Sequence, residues 1–335
     1  MAITINDLNG FEVAINDSSN GKYPDVVSQA CSLKKMTRWQ IGGPADLVVK
    51  PRSHEQVRDT IRSLASSGVP WLAMGYASNL LIDDGGVRGA VVLLTKNLAF
   101  FQSEGVRVRV GGGAWVPGFA NRVSRLGLHG AEHIVGIPGT IGGLICMNGG
   151  SNRKSIGDNV VEVRCLDRNA NEIRLTQSQC CFGRRSSLIQ REGWIVTEAT
   201  LEFKRAAVRK IRREMKDILA CRRRKFPLKS PNCGSVFVSD PKNFLKHGPP
   251  GEMIERCGLK GLRFGDAQVS PQHANFIVNL GHATSSDVLR LIKAIRDEAV
   301  RQFNCHLECE VRYVSSDCQV RPAHLVLADT SSLGR

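Results

Sequence analysis

The chain has no apolar run long enough to cross a bilayer, so no membrane association is expected. Its start, Met1 to about Tyr23, is polar and carries Asp7, Glu12 and Asp17, without the basic opening and apolar middle of a secretory signal. Both absences point to a protein that works in the cytoplasm. No C-x-x-C pair occurs, and among the eleven cysteines only Cys180–Cys181 and Cys305–Cys309 lie close together. Such spacing argues against zinc and disulfide frameworks alike. Cys146, Cys165 and Cys309 sit inside apolar runs, where a thiol behaves as a small buried hydrophobe. Aromatic residues make up only 6% of the chain and no nucleic-acid-binding motif is visible, so no specific nucleic-acid partner is expected. Neither G-x-G-x-x-G nor G-x-x-x-x-G-K-[ST] occurs, which argues against a Rossmann dinucleotide site and a P-loop.

What is present is an ordinary globular composition, 42% hydrophobic and 23% charged, over 335 residues, enough for two or three domains. The unusual feature is a net charge of +15. Such a charge suits acidic ligands, and it also gives non-specific nucleic-acid affinity without any evolved role. It is densest from Lys204 to Lys225.

The first thirty residues show little periodicity and read as an extension. From there strand-like and helix-like segments mix. Ala45 to Lys50 reads as a strand, and Ser53-His-Glu-Gln56 has the form of a capping box before Val57, Ile61, Leu64 and Ala65, with Gly68 as the stop. Val69 to Met74 and Val87 to Leu94 are apolar strands, and Val106, Val108 and Val110 alternate with arginines as in a half-exposed strand. A helix is predicted from Trp115 to about Leu126, then a hairpin turning at Arg168–Asn171, then a strand from Ile195 to Phe203. A basic amphipathic helix opens after Lys204, with Val208, Ile211, Met215, Ile218 and Leu219 on one face, and the composition shift there marks a domain boundary. A second amphipathic helix, Asp287 to Phe303, precedes a strand from Cys305 to Val314; no pattern is legible beyond Ser315.

Two glycine-bearing loops, Gly75 to Asn79 and Gly136 to Gly143, each follow an apolar run. Glycine lets backbone N–H groups approach a phosphate and adopt positive φ, although tight packing turns demand the same residue. Six strings then occur in order: Thr37-Arg-Trp-Gln-Ile-Gly-Gly43, Gly75-Tyr-Ala-Ser-Asn-Leu-Leu-Ile82, Ile137-Pro-Gly-Thr-Ile-Gly-Gly143 with Met147-Asn148, Gly234-Ser-Val-Phe237, Gln272-His-Ala-Asn-Phe-Ile-Val-Asn279 and Leu307-Glu-Cys-Glu-Val-Arg312. In register, this series resembles the UDP-N-acetylenolpyruvoylglucosamine reductases of the MurB type, over about residues 32 to 315.

The resemblance implies an α+β fold: a PCMH-type FAD-binding module of two subdomains, followed by an α/β substrate-binding domain. On this chain that gives an extension at 1–31, an FAD module at 32–205 (subdomains at about 32–96 and 97–205), a substrate domain at 206–315 and a tail at 316–335. It implies non-covalent FAD, held by Gly75, Ala77, Ser78, Asn79, Gly136, Ile137, Pro138, Gly139, Thr140, Gly142 and Gly143. It implies NADPH as reductant and a UDP-sugar nucleotide as substrate in peptidoglycan precursor synthesis. The enolpyruvyl double bond is reduced there through the flavin, by way of an enolate-like transition state that needs positive charge at the carboxylate and a proton donor for carbon 2.

Three residues match the family's catalytic positions. Ser235 matches the proton donor, Arg185 in Phe182-Gly-Arg-Arg-Ser-Ser187 matches the carboxylate-binding arginine, and Glu310 matches the second acid of its motif. A planar guanidinium fork suits a carboxylate. Period-two alternation independently puts His306, Glu308, Glu310 and Arg312 on one face, whether an active-site wall or a solvent face. Arg222 and Lys225 are placed to attract the UDP diphosphate, or else belong to a solvated helix face; His273 and Asn275 lie in a family motif that implies substrate binding, or else are structural. His129 and His133 have i,i+4 spacing, but Glu132 is not placed as in H-E-x-x-H, and no metal ligand set is expected. The chain departs from the family in having Ala77 for glycine, Arg184 for tyrosine, Ser151-Asn-Arg153 for a small-aromatic-glycine stretch and Val238-Ser-Asp240 for a Lys-Asn pair. The competing readings are another PCMH-type FAD oxidoreductase acting on a sugar or lactone, and a catalytically lapsed MurB-like protein binding through its basic surface.

Overall fold

The structure is a computed structural model in which residues 27–329 are described. Helices and strands mix in the α+β manner the sequence implies. The described residues fold into two compact units, each drawn from non-contiguous segments: unit 1 takes 27–29, 47–76 and 89–222, and unit 2 takes 30–46, 77–88 and 223–329.

Unit 1 centres on a five-stranded antiparallel sheet in the order Glu172–Thr176, Val160–Leu166, Ile195–Glu202, Arg107–Gly111, Phe101–Glu104. Alternation decides its faces. Val108, Val110, Val163, Cys165 and Leu201 point into one core, where they meet Phe119 and Val123 of the helix Val116–Arg125. Arg107 and Arg109 point out and pair with Glu202 and Glu198 across the strands. A second sheet runs Val27–Ser32, Pro44–Val49, Val87–Leu93, Trp71–Met74. On it lies the helix His54–Ser66, whose Val57, Ile61 and Leu64 pack against Leu47, Val49, Trp71 and Val92. Ser53 caps that helix by accepting from the Gln56 N–H at 3.2 Å. The Gln56 side chain turns to the Arg52 N–H at 2.6 Å, one residue short of a full capping box.

Two expectations change here. The extension expected over residues 1–31 gives way to the strand Val27–Ser32; residues before 27 lie outside the described residues. The basic helix, Val208–Lys225, was expected to open the C-terminal domain. Its Ile211, Met215 and Ile218 are instead buried in the core of unit 1. An apolar stripe goes where matching apolar surface is available, and a composition shift does not report that.

Unit 2 is made of shorter pieces. The helix Ser285–Phe303 starts with a full capping box, Thr284 with Asp287, and sends Val288, Leu291, Ile292, Ile295 and Ala299 into the core. Three short strands, Arg263–Phe264, Ala267–Val269 and Ile277–Asn279, form one antiparallel sheet. Another is ordered Val320–Pro322, Arg312–Val314, Leu80–Ile82, and its last pair is parallel. The long strand expected over Cys305–Val314 is strand only at Arg312–Val314, with a single bridge from Cys309 to Phe237. Its burial nevertheless alternates from Cys305 to Tyr313, because an extended chain alternates whether or not it is laddered. The tail, unreadable in sequence, supplies the strand Val320–Pro322 and the helix Ala323–Asp329.

The contiguous division expected from sequence misses how unit 2 closes. Trp39 Nε1 donates to the Ile277 carbonyl at 2.9 Å, and Asn279 Nδ2 donates to the Trp39 carbonyl at 2.9 Å. Leu80–Ile82 pairs with Arg312–Val314. These ties bring the early segments 30–46 and 77–88 to the C-terminal third of the chain.

Candidate active site

In unit 1 the strand Trp71–Met74 delivers Gly75 against the Ile137–Gly143 loop. A Cβ on Gly75 would lie 2.6 Å from Thr140 Oγ1, so only glycine lets the two loops run side by side. The second loop is held by its neighbours: Val116 N–H donates to the Gly139 carbonyl at 3.0 Å, Ile141 N–H to Ala114 at 2.9 Å and Gly142 N–H to Gly112 at 2.7 Å. Gly139 has φ +154°, and Thr140 caps the short helix Ile141–Cys146 by accepting from Gly143 N–H. Pro138 fixes the approach to this turn. Tyr76 packs edge-on against Trp115 at 5.1 Å, with Trp115 left 39% exposed. Glycine backbone beside a partly exposed aromatic pair fits a ligand carrying both phosphates and planar rings, as FAD does.

Gly136 serves a different purpose. A Cβ there would stand 2.4 Å from Arg222 Cδ and Nε, so the glycine makes room for an arginine stem. Arg222 is half-buried, and burial pulls its guanidinium below the usual arginine value. Lys225, on the same helix, is exposed. The two residues expected to act together thus have different surroundings, and Arg222 lies beside Gly136, the first glycine of the second loop.

Arg185 also lies in unit 1, in the tight turn bridged by Gly183 and Ser186. Its backbone is left-handed (φ +54°), uncommon for a residue with a Cβ. Its Nη2 donates to the Gly150 carbonyl at 3.1 Å, and it is half-buried whereas Arg184 is exposed. Asn148 steadies this turn: its Nδ2 donates to Gly183 at 2.8 Å and its Oδ1 accepts from Gly157 N–H at 3.0 Å. Sequence reading passed over that task.

Unit 2 brings together three stretches far apart in the chain. Ala77, buried and left-handed at φ +45°, adopts the conformation for which the family keeps glycine. After Ser78, Asn79 Nδ2 donates to the Glu310 carbonyl at 3.0 Å, and the Asn79 carbonyl accepts from Arg312 N–H at 3.1 Å. On the other side, Glu310 N–H donates to the Val236 carbonyl at 2.8 Å, next to Ser235. Asn79 is therefore tied to Glu310, and Glu310 to Val236, the residue that follows Ser235.

The turn carrying Ser235 is built by its neighbours. Asn232 Oδ1 accepts from Gly234 N–H at 2.9 Å, an Asx turn legible as Asn two residues before Gly. The wholly buried Cys233 thiol contacts the Leu80 carbonyl at 3.4 Å; burial pushes it up to about 12, so it stays a neutral donor. Asn275 clamps Phe237, accepting its N–H at 2.9 Å and donating to its carbonyl at 3.0 Å. His273 packs among Phe226 and Phe276, and burial holds it below the ordinary imidazole range. Both residues, expected from their motif to bind substrate, have visible positional tasks.

This arrangement was compared with known proteins. UDP-N-acetylenolpyruvoylglucosamine reductase 1 of Corynebacterium glutamicum is 38% identical over 322 residues, covering 96% of this chain and 96% of that protein. The chain belongs to the UDP-N-acetylenolpyruvoylglucosamine reductase family. The Moorella thermoacetica reductase is 39% identical over 279 residues, covering 83% of this chain and 90% of its own. The crystal structure of the MurB reductase from Thermus caldophilus superposes with a TM-score of 0.72 at 30% identity, over 86% of this chain and 97% of that one. Family models match in two places: an FAD binding domain over residues 45–176 and the UDP-N-acetylenolpyruvoylglucosamine reductase C-terminal domain over residues 226–314. Among the described residues no helix is long and apolar enough to cross a membrane.

Proposed function

We infer that this chain reduces UDP-N-acetylenolpyruvoylglucosamine to UDP-N-acetylmuramate with NADPH, in the cytoplasmic supply of peptidoglycan precursor. The observation that carries this reading is that Asn79 Nδ2 donates to the Glu310 carbonyl while the Glu310 N–H donates to Val236, the residue after Ser235. These bonds draw three family motif segments together from remote parts of the chain. The near-complete overlap with a named reductase supports it. Unit 1, with the helix Val208–Lys225 in its core, serves mainly as the flavin module, and unit 2 as the substrate domain.

Bound non-covalently, FAD would supply the redox chemistry that couples NADPH oxidation to reduction of the enolpyruvyl double bond. The protein supplies positions and charge. Gly75, Ala77, Ser78 and Asn79, with Gly136, Ile137, Pro138, Gly139, Thr140, Gly142 and Gly143, offer the backbone that holds the dinucleotide. Arg185 presents a guanidinium to the substrate carboxylate, where negative charge develops. Ser235 gives its hydroxyl proton to carbon 2, and Glu310, one hydrogen bond from the Val236 carbonyl, supports that transfer. Arg222 and Lys225 favour the anionic cofactor and UDP diphosphate. Asn275 and His273 keep the Ser235 segment in place.

The test is direct. Purified protein is expected to show a flavin absorption spectrum that acid or heat releases into solution. It is expected to oxidise NADPH only when the enolpyruvyl sugar nucleotide is added. Flavin-loaded protein with no nucleotide-dependent NADPH consumption would sink the assignment.

A further inference from the structure

Away from these residues, unit 1 gathers a second set of chemically competent side chains. His129, at the end of the short strand Leu128–His129, Glu132 in the following turn, and Glu214 on the helix Val208–Lys225 each offer a ligand atom, all within 4.8 Å of one another. Glu132 is only 1% exposed. One of its oxygens lies 3.0 Å from His129 Nδ1, and the other accepts from Gly130 N–H at 2.8 Å. Glu214 is partly exposed and has Lys154 Nζ 3.6 Å away. His133 follows in the same turn, buried, with no hydrogen-bond partner for its Nδ1 among the described residues.

Two carboxylates this close repel each other, and a buried one demands compensation. Here the His129 imidazole faces Glu132, and Lys154 faces Glu214 from the exposed side. Glu214 is also one of two acids on a helix otherwise rich in arginine and lysine. An imidazole and two carboxylates converging from a turn and a helix form a recognised donor set for Zn2+, with water completing a tetrahedron. Mg2+ and Ca2+, which take oxygen ligands, match the imidazole poorly. The Gly130 amide would orient the Glu132 carboxylate from behind, as outer hydrogen bonds do at metal sites.

We propose that His129, Glu132 and Glu214 bind one Zn2+ ion, which pins the helix Val208–Lys225 to the turn before the Ile137–Gly143 loop. The metal takes the place of the His129–Glu132 hydrogen bond and competes with Lys154 for Glu214. About two turns along the same helix, Arg222 rests on Gly136, so the ion and that arginine fix one helix to one segment at two points.

Zinc titration of the flavin-loaded full chain by calorimetry tests this, independently of turnover. Surface thiols such as Cys181 can also take up zinc, so the reading is the difference between variants. The wild type is expected to bind one equivalent more than Glu214→Gln or His129→Gln, and its thermal midpoint is expected to rise with zinc while theirs does not. Lys154→Met, which removes the competing cation, is expected to tighten that equivalent severalfold. Glu214 is on the helix surface, so its variant keeps the test meaningful even if His129→Gln folds poorly. Equal zinc stoichiometry and affinity in wild type and Glu214→Gln, or no zinc uptake by the wild type, would overturn the proposal.

Discussion

Units 1 and 2 reach order by different routes. Unit 1 uses long periodic segments: strands of five to eight residues meet helices whose apolar stripes are visible in the chain. Unit 2 uses strands of two or three residues, joined by side chains that reach backbone groups far away in sequence, such as Trp39 to Ile277 and Asn279 to Trp39. A periodic segment tolerates the loss of one contact because its neighbours repeat it. A network of single ties does not.

The largest contrast is expected from one substitution made in each unit. Gly86→Ala would place a Cβ 1.8 Å from the Pro44 carbonyl oxygen at φ +83°, a backbone clash, and is expected to destabilise unit 2 by on the order of 4 kcal/mol or more. Gly105→Ala, at φ +59° with nothing within 4 Å, carries only the left-handed backbone penalty of about 1–2 kcal/mol in unit 1. Urea unfolding of both variants measures the difference; equal midpoints would erase the contrast.

The second contrast separates chemistry from cofactor retention. Ser235→Ala is expected to lower kcat by about 10²-fold or more while the flavin stays bound. Gly75→Val, which drives a side chain into Thr140, is expected to lose flavin first. Stopped-flow reduction and flavin content distinguish the two. A Ser235→Ala enzyme with unaltered kcat would remove the serine from its role.

Smaller effects sharpen the comparison. Asn279→Ala removes the tie to Trp39 and leaves Gly281 and Ala283 N–H groups without their acceptor, for an expected loss of about 2–3 kcal/mol. Ser53→Ala, which removes a local helix cap in unit 1, is expected to cost about 1 kcal/mol. Chemical denaturation of each variant checks that order.

The smallest expected effect is a pH dependence. Burial holds His324 below the ordinary imidazole value, and its neutral Nδ1 accepts the Cys309 N–H at 2.9 Å. As pH falls below about 6.5, the unfolded chain takes up that proton first. Unit 2 therefore loses stability until the folded His324 titrates as well, and His324→Phe is expected to flatten this limb. Unfolding at a series of pH values reads it; an identical acid limb in the variant would exclude His324 as the source.

Legibility followed the same divide. The helices His54–Ser66 and Val116–Arg125, the strand Trp71–Met74 before Gly75 and the loop at Gly139–Thr140 were readable, because burial repeats with the period of the backbone and glycine marks where a Cβ cannot fit. The short helices Ile141–Cys146 and Leu188–Glu192 were not. The strand Cys305–Val314 was read too long, since alternation signals an extended chain and not its ladder partner. Asn148 and Cys233 were missed as builders of the candidate site because each acts on backbone atoms remote in sequence.

The amino-acid sequence by itself determined the family, the α+β character and which glycine-bearing loops are proposed to hold a dinucleotide, because those follow from short strings and local periodicity. Tertiary structure alone decided that the segments 30–46 and 77–88 close the C-terminal unit, and that Glu310 is hydrogen-bonded both to Asn79 and to Val236, next to Ser235. It alone decided that Glu214 stands beside His129 and Glu132. The physical reason is common to all three. Local preference falls away within a few residues, whereas burial and hydrogen bonding act between whatever atoms the folded chain makes neighbours.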